Sequence, residues 1–167
     1  GAARRLRLIP RLLLPFGPTW RTALLAGAAF SNSMVGLVHA IGHALGGVCH
    51  VAHGDAMTIL LPAVMKYNLE KCKERYGELL LPLAGPEVYA ATPAELRAQK
   101  TIDTLVALRQ QLADLTGLPT TLSQTGRVKP EQFDEVASTA LNDGAIIVNP
   151  AEANHEEIVG ILREVWA

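Results

Sequence analysis

Between Arg21 and Asp55 the chain carries no Asp, Glu, Lys or Arg, an uncharged run covering positions 22–54. A run of that length has to be covered, either by the rest of the protein or by lipid, because chains that face water carry charge at much shorter intervals. Lipid is the poorer choice. A membrane helix needs about 20 mostly apolar residues in succession, whereas Ser31-Asn32-Ser33, the four histidines His39, His43, His50 and His53, and Gly46-Gly47 all fall within the run. The expectation is a buried helix pair with polar groups on its inner face, the kind of place where chemistry is housed. A membrane span is the minor alternative.

The chain has 167 residues, enough to bury about 68–70% of the surface exposed when unfolded, so a single domain over residues 1–167 is expected without covalent staples. Cys49 and Cys72 are too few for a disulfide scaffold and match no CxxC metal pair, which makes a reducing, cytoplasmic compartment the default. The formal charge of −1 hides an asymmetry: Arg4, Arg5, Arg7, Arg11 and Arg21 precede the first acidic residue, Asp55. A targeting helix or a phosphate-binding arm would use such a start. Pro10, Pro15, Gly17 and Pro18 break any long amphipathic helix there, and the first residue is not Met. A domain edge with upstream chain removed is the preferred reading, with neither nucleic acid nor a membrane as partner.

Punctuation and periodicity divide the rest into helices. Thr19 is placed to cap a helix through Ala23–Phe30, and Met34 to Leu45 reads as a second helix stopping at Gly46-Gly47. A third runs from about Ala56 to Asn68, with Pro62 expected to kink it. Thr92-Pro93-Ala94-Glu95 has the order of a cap, an N1 proline and a capping-box acid before a long helix ended by Gly117 and Pro119. Its apolar side is Ile102, Leu105, Val106, Leu108, Leu112 and Leu115. Phe133, Val136, Ala137, Ala140 and Leu141 repeat at helical spacing after Pro130. Asn154 with Glu157 caps a last helix facing inward through Ile158, Ile161, Leu162, Val165 and Trp166. Ala145-Ile146-Ile147-Val148 is too short for a sheet and reads as a buried loop. An all-α bundle of about six or seven helices, without a substantial sheet, follows.

The histidines carry the functional signal. His39 and His43 are four apart and stack on one helical face about one turn apart. A turn after them brings His50 or His53 back opposite the pair, which is how ligands from two elements close around one ion. The glutamate of an HExxH metalloprotease is absent, since position 42 is Gly42. Neutral imidazole suits Fe, Zn, Ni and Cu alike. Against this stands the plain alternative that a histidine on an apolar face is a hydrogen-bonded core residue; four imidazoles in one uncharged stretch are costly to bury without partners.

Phe30-Ser31-Asn32-Ser33, Gly36-Leu37-Val38-His39-Ala40-Ile41-Gly42-His43-Ala44-Leu45-Gly46, His53-Gly54 and Leu60-Leu61-Pro62 to Asn68 resemble the histidine-rich signature of the iron-containing alcohol dehydrogenases. Asn142-Asp143-Gly144 through Asn149-Pro150 is similar to the end of the same family, so the resemblance extends from Leu6 onward. It implies the C-terminal helical domain only, without the N-terminal α/β domain that binds NAD or NADP. By the same resemblance His39 and His53 are metal ligands, and the remaining aspartate and histidine ligands lie upstream. His43 stands beside metal and nicotinamide as the catalytic proton relay, and Phe30 lines the substrate pocket. The implied metal is divalent, Fe²⁺ in first place and Zn²⁺ as the alternative. The implied reaction interconverts an alcohol and an aldehyde or ketone. Homo-oligomers are compatible with it, and the lone chain is expected to be inactive. His50 and His155 receive no role beyond partly exposed positions. Asp55 departs from the family pattern at the pocket edge. The maleylacetate reductase branch is disfavoured because Val38 replaces one of its adjacent histidines. The alternative of another class is a non-catalytic helical module that binds a metal or a partner helix.

Overall fold

The computed structural model describes residues 19–167, with side chains of the first helix described from Ala23 onward. The basic residues Arg4, Arg5, Arg7 and Arg11 and the prolines among them lie outside the described residues, as do the side chains of Thr19 and Arg21. Contacts divide the chain into two compact units, one ending at Met34 and the other spanning Val35–Ala167. In the first, helix α1 covers Thr19–Ser33; Leu24, Leu25 and Phe30 on it are exposed.

The second unit contains seven α-helices: α2 (Leu37–Cys49), α3 (His53–Tyr67), α4 (Leu69–Ala84), α5 (Pro86–Ala91), α6 (Arg97–Thr116), α7 (Phe133–Leu141) and α8 (His155–Glu164). Short 3₁₀ turns link them, and no strand occurs among the described residues. The expected all-helical class holds, with eight helices among the described residues rather than six or seven. The additional ones are α4 and α5. Only Cys72, Gly77 and Leu80 are buried on α4, too thin a stripe to stand out against Glu70, Lys71, Lys73, Glu74 and Arg75.

The core is organised around α2. Leu37, Ala40, Ile41, Ala44 and Leu45 are almost fully buried, and their i, i+3, i+4, i+7, i+8 spacing makes one continuous stripe. They share a core cluster with Ala56, Ile59, Leu60, Ala63 and Val64 of α3, Phe133, Val136, Ala137 and Ala140 of α7, and Ile158, Ile161 and Leu162 of α8. Each large aliphatic side chain so buried contributes about 1.5–3 kcal/mol. Among the described residues no single helix is long and apolar enough to cross a membrane. The uncharged run is covered by protein along α2.

Four local expectations are corrected. Gly46-Gly47 do not end α2, which continues to Cys49; a glycine in a helix costs roughly 0.5–1 kcal/mol against alanine, less than the buried stripe on either side returns. Thr92 does not cap the long helix, because its hydroxyl donates to the Val88 carbonyl at 2.7 Å. Residues Ala94–Leu96 form a 3₁₀ turn before α6 instead. Leu115 and Leu141, read as inward, are exposed near their helix ends. Residues Gly144–Val148 form a 3₁₀ turn rather than a buried loop, with Ala145 buried and Ile147 81% exposed. The capping box of α8 is as read: Asn154 Oδ1 accepts from the Glu157 N–H at 3.0 Å, and Glu157 Oε2 accepts from the Asn154 N–H at 2.8 Å.

Candidate metal centre

Two local features bring the histidines together. At the end of α2, His50 adopts the left-handed conformation, φ 56°, and the Val51 N–H reaches back to the Leu45 carbonyl at 3.3 Å while the His50 N–H bonds Gly46 at 3.1 Å. This is the reversal a C-terminal cap makes. It buries Val51 and starts α3 at His53, directly opposite α2. The second feature is Gly42. A Cβ there would fall 1.8 Å from Met57 Cε and 3.7 Å from Ala56 Cβ, so α2 and α3 approach at a point where only a bare Cα fits unless Met57 moves. Besides lacking a carboxylate, position 42 could take a side chain only if the end of Met57 shifted.

The result is a triangle of imidazoles. The ring centroids of His39 and His43 are 5.7 Å apart, those of His39 and His53 5.5 Å, and those of His43 and His53 5.8 Å. Rings whose nitrogens share one cation at about 2.0–2.1 Å have centroids on the order of 5–6 Å apart, so the donor type and separation of His39 and His53 suit a common divalent ion. Among the described residues, however, no group of three or more His, Cys, Asp or Glu side chains is placed to hold a metal ion. The residues fit part of a ligand set.

His39 is half-buried while His43 and His53 are exposed. Burial, followed by the neighbouring His43 and His53, lowers the His39 pKa below the ordinary histidine value, with Asp143 opposing. A lowered value keeps this ring neutral with its lone pair available at neutral pH.

Two side chains that residue spacing did not single out support this region. Asp143 Oδ2 lies 2.8 Å from His43 Nδ1. Burial alone would raise the Asp143 carboxyl, but the Ala145 N–H and the His43 ring outweigh it and the net shift is downward. Asn149, at the far end of the same turn, accepts the Leu37 N–H at the start of α2 at 3.1 Å and exchanges two hydrogen bonds, 2.8 and 3.0 Å, with the amide of buried Asn68. The sequence signals for both were the Asn-Asp-Gly turn and Asn149-Pro150. Those mark turns, not the partners that the turns reach.

The other histidines stand apart from the triangle. His50 is an exposed cap residue, and His155 Nε2 lies 3.1 Å from the Asp134 carbonyl oxygen on another face. Asp55 sits in the first turn of α3, where a carboxylate complements the helix dipole. Phe30 lies on α1 in the first unit, 54% exposed. Replacing His50 by glycine removes the Cβ clash of the left-handed conformation. His50→Gly is expected to stabilise the chain by about 1 kcal/mol, read as a higher urea midpoint with the ring signals of His39, His43 and His53 unchanged.

Comparison with known proteins identifies a family. Residues 19–166 match the Fe-containing alcohol dehydrogenase family, C-terminal. Over 144 residues the chain is 35% identical to 1,3-propanediol dehydrogenase of Klebsiella pneumoniae, covering 86% of this chain and 35% of that protein. It is 33% identical to alcohol dehydrogenase 4 of Saccharomyces cerevisiae, covering 85% of this chain and 34% of that one. Its fold is similar to the crystal structure of a 1,3-propanediol oxidoreductase, with TM-score 0.76 and 34% identity over 86% of this chain and 36% of that chain. The chain thus spans about a third of the length of these relatives. With the matched region extending over α1 to α8 and containing all three converging histidines, the chain belongs to the Fe-containing alcohol dehydrogenase family, to whose C-terminal part it corresponds.

Proposed function

We propose that this chain supplies His39 and His53 as two metal ligands, and His43 as the proton-handling group, of an oxidoreductase that interconverts an alcohol and an aldehyde or ketone with NAD or NADP. The observation that carries the reading is the triangle of rings at 5.5–5.8 Å, built from two helices. Fe²⁺ is the first choice of ion and Zn²⁺ the second. When bound, such an ion supplies Lewis acidity toward the substrate oxygen.

The chain's own residues do the rest of their share as follows. His39 and His53 present imidazole nitrogens from α2 and α3, their ring centroids 5.5 Å apart. His43, with 46% of its side chain exposed, takes the proton of the substrate hydroxyl on its ring and returns it to water. A nicotinamide held by the N-terminal domain would supply the hydride acceptor. Phe30 is assigned to the apolar wall of the substrate pocket. The dinucleotide site and the remaining aspartate and histidine ligands are assigned to an N-terminal α/β domain, the principal partner of residues 1–167 as one helical domain. Small alcohols and aldehydes are the proposed substrates, and the cytoplasm the proposed location.

The test is an activity assay with two arms. The chain joined to such an α/β domain and loaded with Fe²⁺ should reduce NAD⁺ or NADP⁺ with a small primary alcohol. Residues 1–167 alone should show no turnover with added Fe²⁺ or Zn²⁺. Robust turnover by the lone chain refutes the division of labour, and an inert loaded two-domain protein refutes the activity.

A further inference from the structure

Asp143 is held from two sides before it meets His43. Its Oδ1 accepts the Ala145 N–H at 2.7 Å, which ties the carboxylate to the backbone of the Gly144–Val148 turn. Asn149 at the end of that turn is fixed to the first residue of α2 through the Leu37 N–H. The turn is thus attached to α2 at its start and again at His43. Only Oδ2 remains, and it faces His43 Nδ1 at 2.8 Å.

A carboxylate can only accept, so a hydrogen bond at this distance requires the proton to sit on Nδ1. A neutral imidazole carries one ring proton, so Nε2 is then a bare lone pair. Histidines free in water favour the opposite tautomer, with the proton on Nε2. In that form His43 would turn a donor toward its surroundings and could not take a proton at Nε2.

We propose that Asp143 is the positioning residue of His43, locking its ring in the Nδ1–H tautomer so that Nε2 is the nitrogen available to accept. The inference rests on the alcohol dehydrogenase reading for the use made of Nε2, but the tautomer is a property of these residues alone. Asp143 acts through His43 and touches no substrate. The same geometry orients the ring plane, because both carboxylate oxygens already have assigned donors.

The decisive measurement is the long-range ¹H–¹⁵N spectrum of the histidine rings in the ¹⁵N-labelled, metal-free 167-residue chain. It is recorded near pH 8, above the ordinary histidine pKa of about 6.5, with His43 identified by the signal lost in His43→Gln. The expected spectrum has Nδ1 protonated and Nε2 unprotonated. Asp143→Ala should move the proton to Nε2 in most molecules. Asp143→Asn should move it as well, because its single amide oxygen stays with the Ala145 N–H and its NH2, a donor, then faces Nδ1. In the loaded two-domain enzyme, Asp143→Ala should lower kcat about 10²-fold with KM little changed, and Asp143→Asn should not recover it.

A wild-type ring protonated on Nε2 overturns the proposal without any variant, which keeps it open to refutation even if Asp143→Ala fails to fold. An Asp143→Ala ring still protonated on Nδ1 also overturns it, leaving Asp143 as a turn cap only. Failure of the alcohol dehydrogenase reading looks different: the wild-type loaded enzyme is inert while the Nδ1–H tautomer is intact.

Discussion

Asn149→Ala is expected to cost about 3 kcal/mol of stability, because one amide serves four hydrogen bonds at the place where the C-terminal segment meets α2 and α3. Asn149 Oδ1 accepts from the Leu37 N–H and from Asn68 Nδ2, and Asn149 Nδ2 donates to Asn68 Oδ1 and to the Ala151 carbonyl. Truncation leaves the first N–H of α2 without its acceptor and both ends of the Asn68 amide without partners. Asn68 is 5% exposed, and each buried polar group left unpaired costs about 1–3 kcal/mol. Water reaching the half-buried rim lowers the sum, hence a figure below the simple total. Gly36→Ala should act in the same direction, since a Cβ there would fall 2.8 Å from Asn149 Oδ1. Urea unfolding of the two variants checks this. A loss under about 1 kcal/mol for Asn149→Ala would mean that water replaces the amide and that the clasp does not hold the segment.

The proposed ligand roles predict the other large effect. In the two-domain enzyme, His39→Ala and His53→Ala should each weaken metal binding by at least about 10²-fold, since even groups that only support a ligand cost 10–100-fold when removed. Metal content and turnover should fall together. His50→Ala should leave both near the wild-type value, because that ring lies outside the triangle. Elemental analysis alongside the alcohol assay reads the result. Full metal occupancy in His39→Ala would count against the ligand assignment whatever happened to activity.

Much of the site was legible in the residues themselves. The i, i+4 spacing of His39 and His43 placed two rings on one helical face, and the turn before His53 returned a third, as the ring separations show. The resemblance of the surrounding motifs led to the same family that residues 19–166 match. What did not show was Asp143. It lies 100 residues from His43 along the chain, and nothing in a local Asn-Asp-Gly signal says which distant side chain the carboxylate will meet. The same holds for Asn149, whose partners are at positions 37 and 68.

Helices with a dense apolar stripe and local caps were set by their own residues. In α7 and α8 the periodic side chains and the Asn154–Glu157 box act within one or two turns, over distances that chain connectivity guarantees. The extent of α2, the left-handed cap at His50, the closeness of α2 to α3 at Gly42 and the pairing of Asp143 with His43 were decided by packing. Each depends on which helix lies against which, and burial energy shared among α2, α3, α7 and α8 outweighs local preferences of about 1 kcal/mol such as that of glycine against a helix interior.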